Sequence, residues 1–345
     1  MLVAFLGSGI SGCSPFYVLR AAYEEGKILW RREPIADHLQ KPELASDTRE
    51  KLKLVLAVRE YAREALGLNV GGSYSSYSYV DRPDLSFILT AAPKTELKPY
   101  TWWFLIVGRV PYKGYFSKED AEAAAAELRA DGYDTNIRSA AAFSTLGWFD
   151  DPLLSHLLRY DKITLANVVF HELFHNTLYI KGAGAFNESV ANFVGGRAAI
   201  DFFRDKLGGG SDEHRRAQEA WEEELEFSAF IEQLASELTS LYGRDTPMQE
   251  KLRVREEVFT LGKQRWARRV EAKPSRRFRN FSKQPLNNAV MIHYLLYMKE
   301  LWLFDALYKA QGNDLHKTIG VIRAAAADGG EPFEAVRGRL KKDKG

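Results

Sequence analysis

At 345 residues, with 46% apolar and 27% charged side chains, the chain can bury a large core and has an ordinary globular composition. A formal net charge of +2 gives no electrostatic reason to expect a nucleic-acid partner or acidic substrates. No internal run is long enough to cross a membrane, and a single cysteine rules out an internal disulfide.

Residues 1–12 are almost wholly apolar or small and lead into Ile10-Ser11-Gly12-Cys13. This stretch resembles the lipobox of bacterial lipoproteins. The resemblance implies that 1–12 is a signal peptide and that Cys13 is lipidated, which anchors the chain to a membrane. Ser14 after the cysteine resembles the outer-membrane sorting pattern, so the expected location is the cell envelope, facing the periplasm. No Lys or Arg precedes the apolar run, although a signal peptide ordinarily opens on one.

The remaining chain divides into 13–110, helical and then β-rich, and 111–345, the expected catalytic region. Residues 14–32 read as an amphipathic helix with Tyr17, Ala21, Ile28 and Leu29 on one face, ended by Pro34. A second helix is expected over 44–66, with Leu52, Val55, Leu56, Val58 and Leu66 as its apolar set. Between 70 and 110, Ser–Tyr alternation and β-rich runs punctuated by Pro83, Pro93 and Pro99 point to a small antiparallel sheet. Residues 117–138 read as a β-α-β unit, with Ser117 as the helix cap and Gly132 as its stop. Ala140 to Leu146 continues extended. Asp150 and Asp151 before Pro152 read as a helix start.

The segment that carries chemistry is His171-Glu172-Leu173-Phe174-His175. On a helix, positions i and i+4 share a face, so His171 and His175 project side by side. Two imidazoles so placed can hold Zn²⁺ at about 2.0–2.1 Å, and Glu172 can take a proton from a water on the metal. Ile163, Leu165, Val168, Val169, Phe170, Leu173 and Phe174 make the helix apolar on nearly all sides, so it should be buried. Buried histidines and glutamates need partners, and a metal is the simplest one. After the turn Lys181-Gly182-Ala183-Gly184, Glu188 opens a second buried helix. An antiparallel return places it as the third ligand, leaving a fourth position for water. Asn187 and Asn192 flank it, and Asn192, one turn on, is expected to orient a ligand histidine.

Farther on, 212–242 and 248–270 read as a helical hairpin. Lys273 to Lys283 is basic and reads as a mobile loop, and 286–311 as a buried helix. Asn287 and Asn288 are candidates to bind substrate backbone or to cap that helix. His293, Tyr294 and Tyr297 are candidates to stabilise an oxyanion. Asp150 and Asp151 are candidates to grip a substrate amine.

The His171-Glu172-x-x-His175 motif with Asn187-Glu188 and Asn192 resembles the glutamate-ligand zincins. More closely, the chain resembles the bacterial family of predicted aminopeptidases. That likeness extends through Tyr112-Lys113-Gly114-Tyr115-Phe116 and Ser144-Thr145-Leu146-Gly147-Trp148-Phe149-Asp150-Asp151-Pro152. It continues at Phe186-Asn187-Glu188-Ser189 and at Leu286-Asn287-Asn288-Ala289 with Tyr297. Family cysteines near Trp102 and Gly108 have no counterpart here. The resemblance implies an α+β, zincin-like metallopeptidase, mostly helical, with a small antiparallel or mixed sheet next to the zinc helix. It implies zinc as cofactor and peptides as substrate. Ser144, Thr145, Leu146 and Gly147 are then the strand that binds substrate backbone, and Tyr297 is the favoured electrophile. Two other readings stay open: a catalytically silent lipid-anchored binding protein, and a hydrolase of a non-peptide, cell-wall amide.

Overall fold

The computed structural model describes residues 26–82, 84–104, 108–140, 150–272 and 277–342. The expected lipidation site Cys13 and the expected substrate strand Ser144–Gly147 lie outside the described residues.

A helical turn at 26–30 (α1) is followed by β1 (Glu33–Pro34), a short helix α2 (Ile35–His38) and α3 (Ser46–Glu64). Leu52, Val55 and Val58 of α3 are fully buried, as its apolar periodicity predicts. Two small sheets come next. In the first, β2 (Ser76–Ser78) pairs antiparallel with β1 and parallel with β8 (Leu153–Leu154). In the second, β3 (Ser86–Pro93) lies between β6 (Lys113–Tyr115) and β7 (Tyr133–Ala140), antiparallel to both. Helix α4 (Lys118–Ala130) joins β6 to β7, so the expected β-α-β unit is present with β3 inserted between its strands. A hairpin of β4 (Trp102–Phe104) and β5 (Gly108–Val110) completes the strands among the described residues.

The two faces of the β6-β3-β7 sheet have separate tasks. Leu89, Ala91 and Ile137 pack with Ala125 of α4. Successive strand residues alternate faces, so Ile88, Thr90, Asn136 and Arg138 point the other way. There Thr90 Oγ1 donates to the Ala289 carbonyl at 3.3 Å, at the start of α9 (Asn288–Met298). The sheet is thus clasped between α4 and α9.

Asp150 and Asp151 do not start a helix. The Asp150 carboxylate accepts the Gly72 N–H at 2.7 Å, and the Asp151 carbonyl accepts the Tyr74 N–H at 2.7 Å. These bonds hold the segment in β8 pairing, and the helix that carries His171 and His175 begins eleven residues later as α5 (Lys162–His175). The centre of the core is α5 against α6 (Gly184–Leu207), with α3 behind α5 and α7 (Asp212–Tyr242) behind α6. α7 and α8 (Met248–Ala272) form the expected hairpin, packed rather than free. Phe227, Phe230 and Trp266 form its aromatic seam.

Two expectations from sequence are corrected. The described part of the basic segment is not a loose loop. Phe278 stacks on Phe227 with ring centroids 4.0 Å apart, and Phe281 is buried. The single helix expected over 286–311 is split into α9 and α10 (Leu301–Ala310) by Glu300, which takes a φ of 54°. The Glu300 N–H is caught by the Glu232 carboxylate and its side chain by Arg337 at 2.8 Å. These partners sustain a left-handed residue without glycine. Helices α11 (Leu315–Ala327) and α12 (Pro332–Lys342) close the described chain. The class is α+β, mostly helical with small sheets. No described helix is long and apolar enough to cross a membrane.

Candidate active site

The site begins with the cap of α5. The Asp161 carboxylate accepts the N–H groups of Ile163 and Thr164 at 2.9 and 3.1 Å, fixing where the helix starts. Val169, Phe170, Leu173 and Phe174 are fully buried, which fixes its rotation. His171 and His175 therefore emerge together, with their Nε2 atoms 3.2 Å apart.

Helix α6 returns antiparallel to α5, with Glu188 against the two histidines and Gly195 against Asn167. The turn between the helices is closed by Asn187. Its Oδ1 accepts the Ile180 N–H at 2.9 Å and its Nδ2 donates to the Ile180 carbonyl at 2.8 Å. This side chain ties the turn and thereby places the next residue. Glu188 Oε2 lies 3.3 Å from His171 Nε2 and 3.7 Å from His175 Nε2. Bonds of about 2.0–2.1 Å in a tetrahedron separate their donor atoms by about 3.3–3.4 Å. The three separations bracket that value, and two neutral imidazoles with one carboxylate are a donor set suited to zinc.

The electrostatics follow from burial of this group. Burial opposes charge on Glu188, yet the two histidines outweigh it and hold its carboxyl below the ordinary range. Burial also opposes charge on His175, and Glu188 more than offsets it, so His175 is shifted up. Glu172, beside them, goes the other way. Burial pushes its carboxyl up, with His171 and His175 pulling against it. A carboxylate raised in this manner is a better proton acceptor.

These side chains open into a cavity of about 520 Å³. Its far wall is α9, and the position of that helix is set by polar pins at both ends. At its start, Asn287 Oδ1 accepts the Val290 N–H at 2.9 Å and Asn287 Nδ2 donates to the Thr135 carbonyl at 3.0 Å. Asn288 donates to the Pro93 carbonyl at 2.8 Å, and its backbone N–H meets Asp134, itself paired with Arg255. Both asparagines thus pin the fold. At the other end, the last carbonyls of α9 would be left without helical partners. Ser189, Asn192 and Ser228 donate to the carbonyls of Leu296, Tyr297 and Met298 at 3.4, 3.1 and 2.8 Å. Asn192 Nδ2 also bonds Glu224 at 3.1 Å, so it steadies Tyr297 rather than a ligand histidine.

Of the three candidates on α9, Tyr297 faces the His171–His175–Glu188 cluster. Its ring stacks on that of His171 at 6.3 Å. Burial, then Glu188, pushes its phenol above the ordinary range, so it stays protonated. His293 lines the same cavity, where burial and Arg138 push its pKa down to about 3. Tyr294 accepts a hydrogen bond from Gln284 at 2.7 Å and packs on Phe227 and Phe281.

Sequence reasoning did not single out Tyr74, Tyr112, Arg138 or Glu224. Tyr112 lines the cavity, and burial and Glu188 push its phenol well above the ordinary range. Tyr74 holds a φ of 60°, and its phenol is raised by burial and then by Glu172. Arg138 Nη2 donates to the Tyr297 hydroxyl at 2.9 Å. Glu224 is buried and pairs with Arg277 at 2.8 Å. Only Tyr112 had a sequence signal, since it opens the Tyr112-Lys113-Gly114-Tyr115 run.

A family model described as "Putative aminopeptidase" matches residues 16–331. The chain belongs to this aminopeptidase family. At a coarse level that places it among peptidases, and the match covers every element around the cavity. No curated protein and no solved structure matches the chain. The matched stretch includes His171, His175 and Glu188, the one group among the described residues whose side chains could hold a metal ion.

Proposed function

We propose that this aminopeptidase-family chain is a zinc-dependent peptidase, acting at peptide amino termini, with a zincin-like site. The observation that carries the reading is the convergence of His171, His175 and Glu188 at tetrahedral donor spacing, beside a half-buried Glu172 whose carboxyl is shifted up. Zinc held by these three residues supplies Lewis acidity, which polarises a carbonyl and makes water more acidic.

The chain's own residues do the rest. Glu172 accepts the proton of the attacking water at its carboxylate and then delivers it to the leaving amine. The Tyr297 phenol donates a hydrogen bond to the carbonyl oxygen as negative charge develops there. Arg138 occupies the Tyr297 oxygen as donor, which leaves the phenol hydrogen to turn toward substrate. Val168, Leu157 and Ile88 give the cavity apolar walls, which limit water around these groups. Ser144 to Gly147 is proposed to hold substrate backbone by strand addition. Lipidation at Cys13 is proposed to hold the enzyme at the outer membrane, facing the periplasm.

The test is Glu172→Gln in zinc-loaded protein from Ser14 onward. Retained zinc with turnover reduced at least a hundredfold supports the reading, given what a positioned base contributes. Unchanged peptide hydrolysis overturns it.

A further inference from the structure

The charged side chains lining the cavity do not balance among themselves. Glu172 and Glu188 face His171 and His175, and the divalent zinc proposed at those ligands offsets their two charges. Glu224 pairs with Arg277. Arg138 is left over. Its one hydrogen bond among the described residues goes to the neutral Tyr297 hydroxyl, and its Nε is buried with no partner. No described carboxylate pairs with it, and the nearby His293 is held neutral by its surroundings.

Arg138 is also held firmly. It sits on β7 opposite Ile88, and both side chains line the cavity. Its guanidinium lies over the Tyr297 ring at 5.4 Å. A desolvated guanidinium without a counter-charge is costly unless an anion arrives to pair with it. The planar fork of Arg suits a carboxylate in particular. Structural arginines in this molecule show the contrast: Arg255 and Arg197 each pair with a buried aspartate.

We propose that Arg138 is the receptor for a substrate carboxylate beside the scissile bond, so that the preferred substrates are short or acidic peptides. This rests on the peptidase reading above and names its substrate class. The carboxylate has two sources: the C-terminus of a dipeptide, or an acidic side chain following the scissile bond.

The experiment measures binding by calorimetry to zinc-loaded Glu172→Gln protein, which holds peptides without cutting them. The probes are dialanine, dialanine amide, and two tripeptide amides with Asp or Asn after the scissile bond. A charge-assisted pair predicts a preference of roughly tenfold or more for the carboxylate member of a pair. Preference for dialanine over its amide assigns the C-terminal carboxylate. Preference for the Asp over the Asn peptide assigns the side chain. Adding Arg138→Gln should abolish either preference, and Arg138→Lys should keep part of it. Tyr297→Phe should leave the ratio unchanged, which separates recognition from support of the phenol. Equal binding of all four probes overturns the proposal, even if the wild type hydrolyses peptides. Selective binding without wild-type hydrolysis keeps the carboxylate receptor and overturns the peptidase reading instead.

Discussion

The approach of α6 to α5 decides whether the proposed metal site can form, and Gly195 decides the approach. A Cβ at position 195 would lie 2.7 Å from the Asn167 carbonyl oxygen and 3.3 Å from His171 Cβ. The first of these is backbone inside a packed helix and cannot swing away. Relief to ordinary contact needs the helices to part by roughly half an ångström or more, at an overpacking cost of about 2–3 kcal/mol, the upper part of the usual range because the clash is with backbone. Against this, alanine gains about 1 kcal/mol over glycine in a helix interior. The net expectation for Gly195→Ala is a loss of about 1–2 kcal/mol. For 345 residues the unfolding entropy is about 0.7 kcal/mol/K. Tm should therefore fall by about 1.5–3 °C in calorimetry of the apo protein. Zinc affinity should fall as well, because the same shift pulls Glu188 from the histidines. If Gly195 were only a weak helix former, alanine would raise Tm instead. A rise in Tm with unchanged zinc affinity refutes the reasoning.

Zinc should stabilise the protein by about 2.7 kcal/mol when free metal is a hundredfold above Kd, or about 4 °C in Tm. A zinc titration followed by calorimetry checks this, and the shift should vanish in His175→Ala. Arg255→Met leaves Asp134, which also binds the Asn288 N–H, buried without its charge partner. That should cost about 3–5 kcal/mol in denaturant unfolding, whereas Asp134→Asn in the Arg255→Met background should recover part of it. His293 is half-buried and stays neutral, its pKa pushed down to about 3 by desolvation and Arg138. The unfolded chain then binds the extra proton between roughly pH 6.5 and pH 3, so stability falls as pH drops through that window and is flat above it. At pH 5 the penalty is about 2 kcal/mol, and His293→Gln should show a correspondingly shallower acid limb in Tm against pH.

The clustering of His171, His175 and Glu188 was legible because its geometry is local. The i,i+4 histidines share a helix face, and a short turn ahead of a second apolar helix brings Glu188 back. Burial of α5 was legible from its near-continuous apolar surface. The features that sequence did not reveal depend on contacts distant in the chain. Arg138 reads as an ordinary strand arginine until the β3–β7 register turns it toward α9. The break at Glu300 carries no glycine or proline and exists because Glu232 and Arg337 hold it. Asp150 and Asp151 have the residue types of a helix start, but bonds to Gly72 and Tyr74 claim them for the extended approach to β8. The role of Asn192 was inverted for a similar reason. Its partners, Glu224 and the Tyr297 carbonyl, come from two later helices.

The most direct measurement is mass spectrometry of a mixed peptide library incubated with zinc-loaded protein from Ser14 onward, beside its Glu172→Gln variant. The account predicts loss of single amino-terminal residues by the wild type alone, strongest for short peptides and those with acidic residues after the cut. Internal cleavage would contradict the amino-terminal mode, and no cleavage by zinc-bound protein would contradict the peptidase itself.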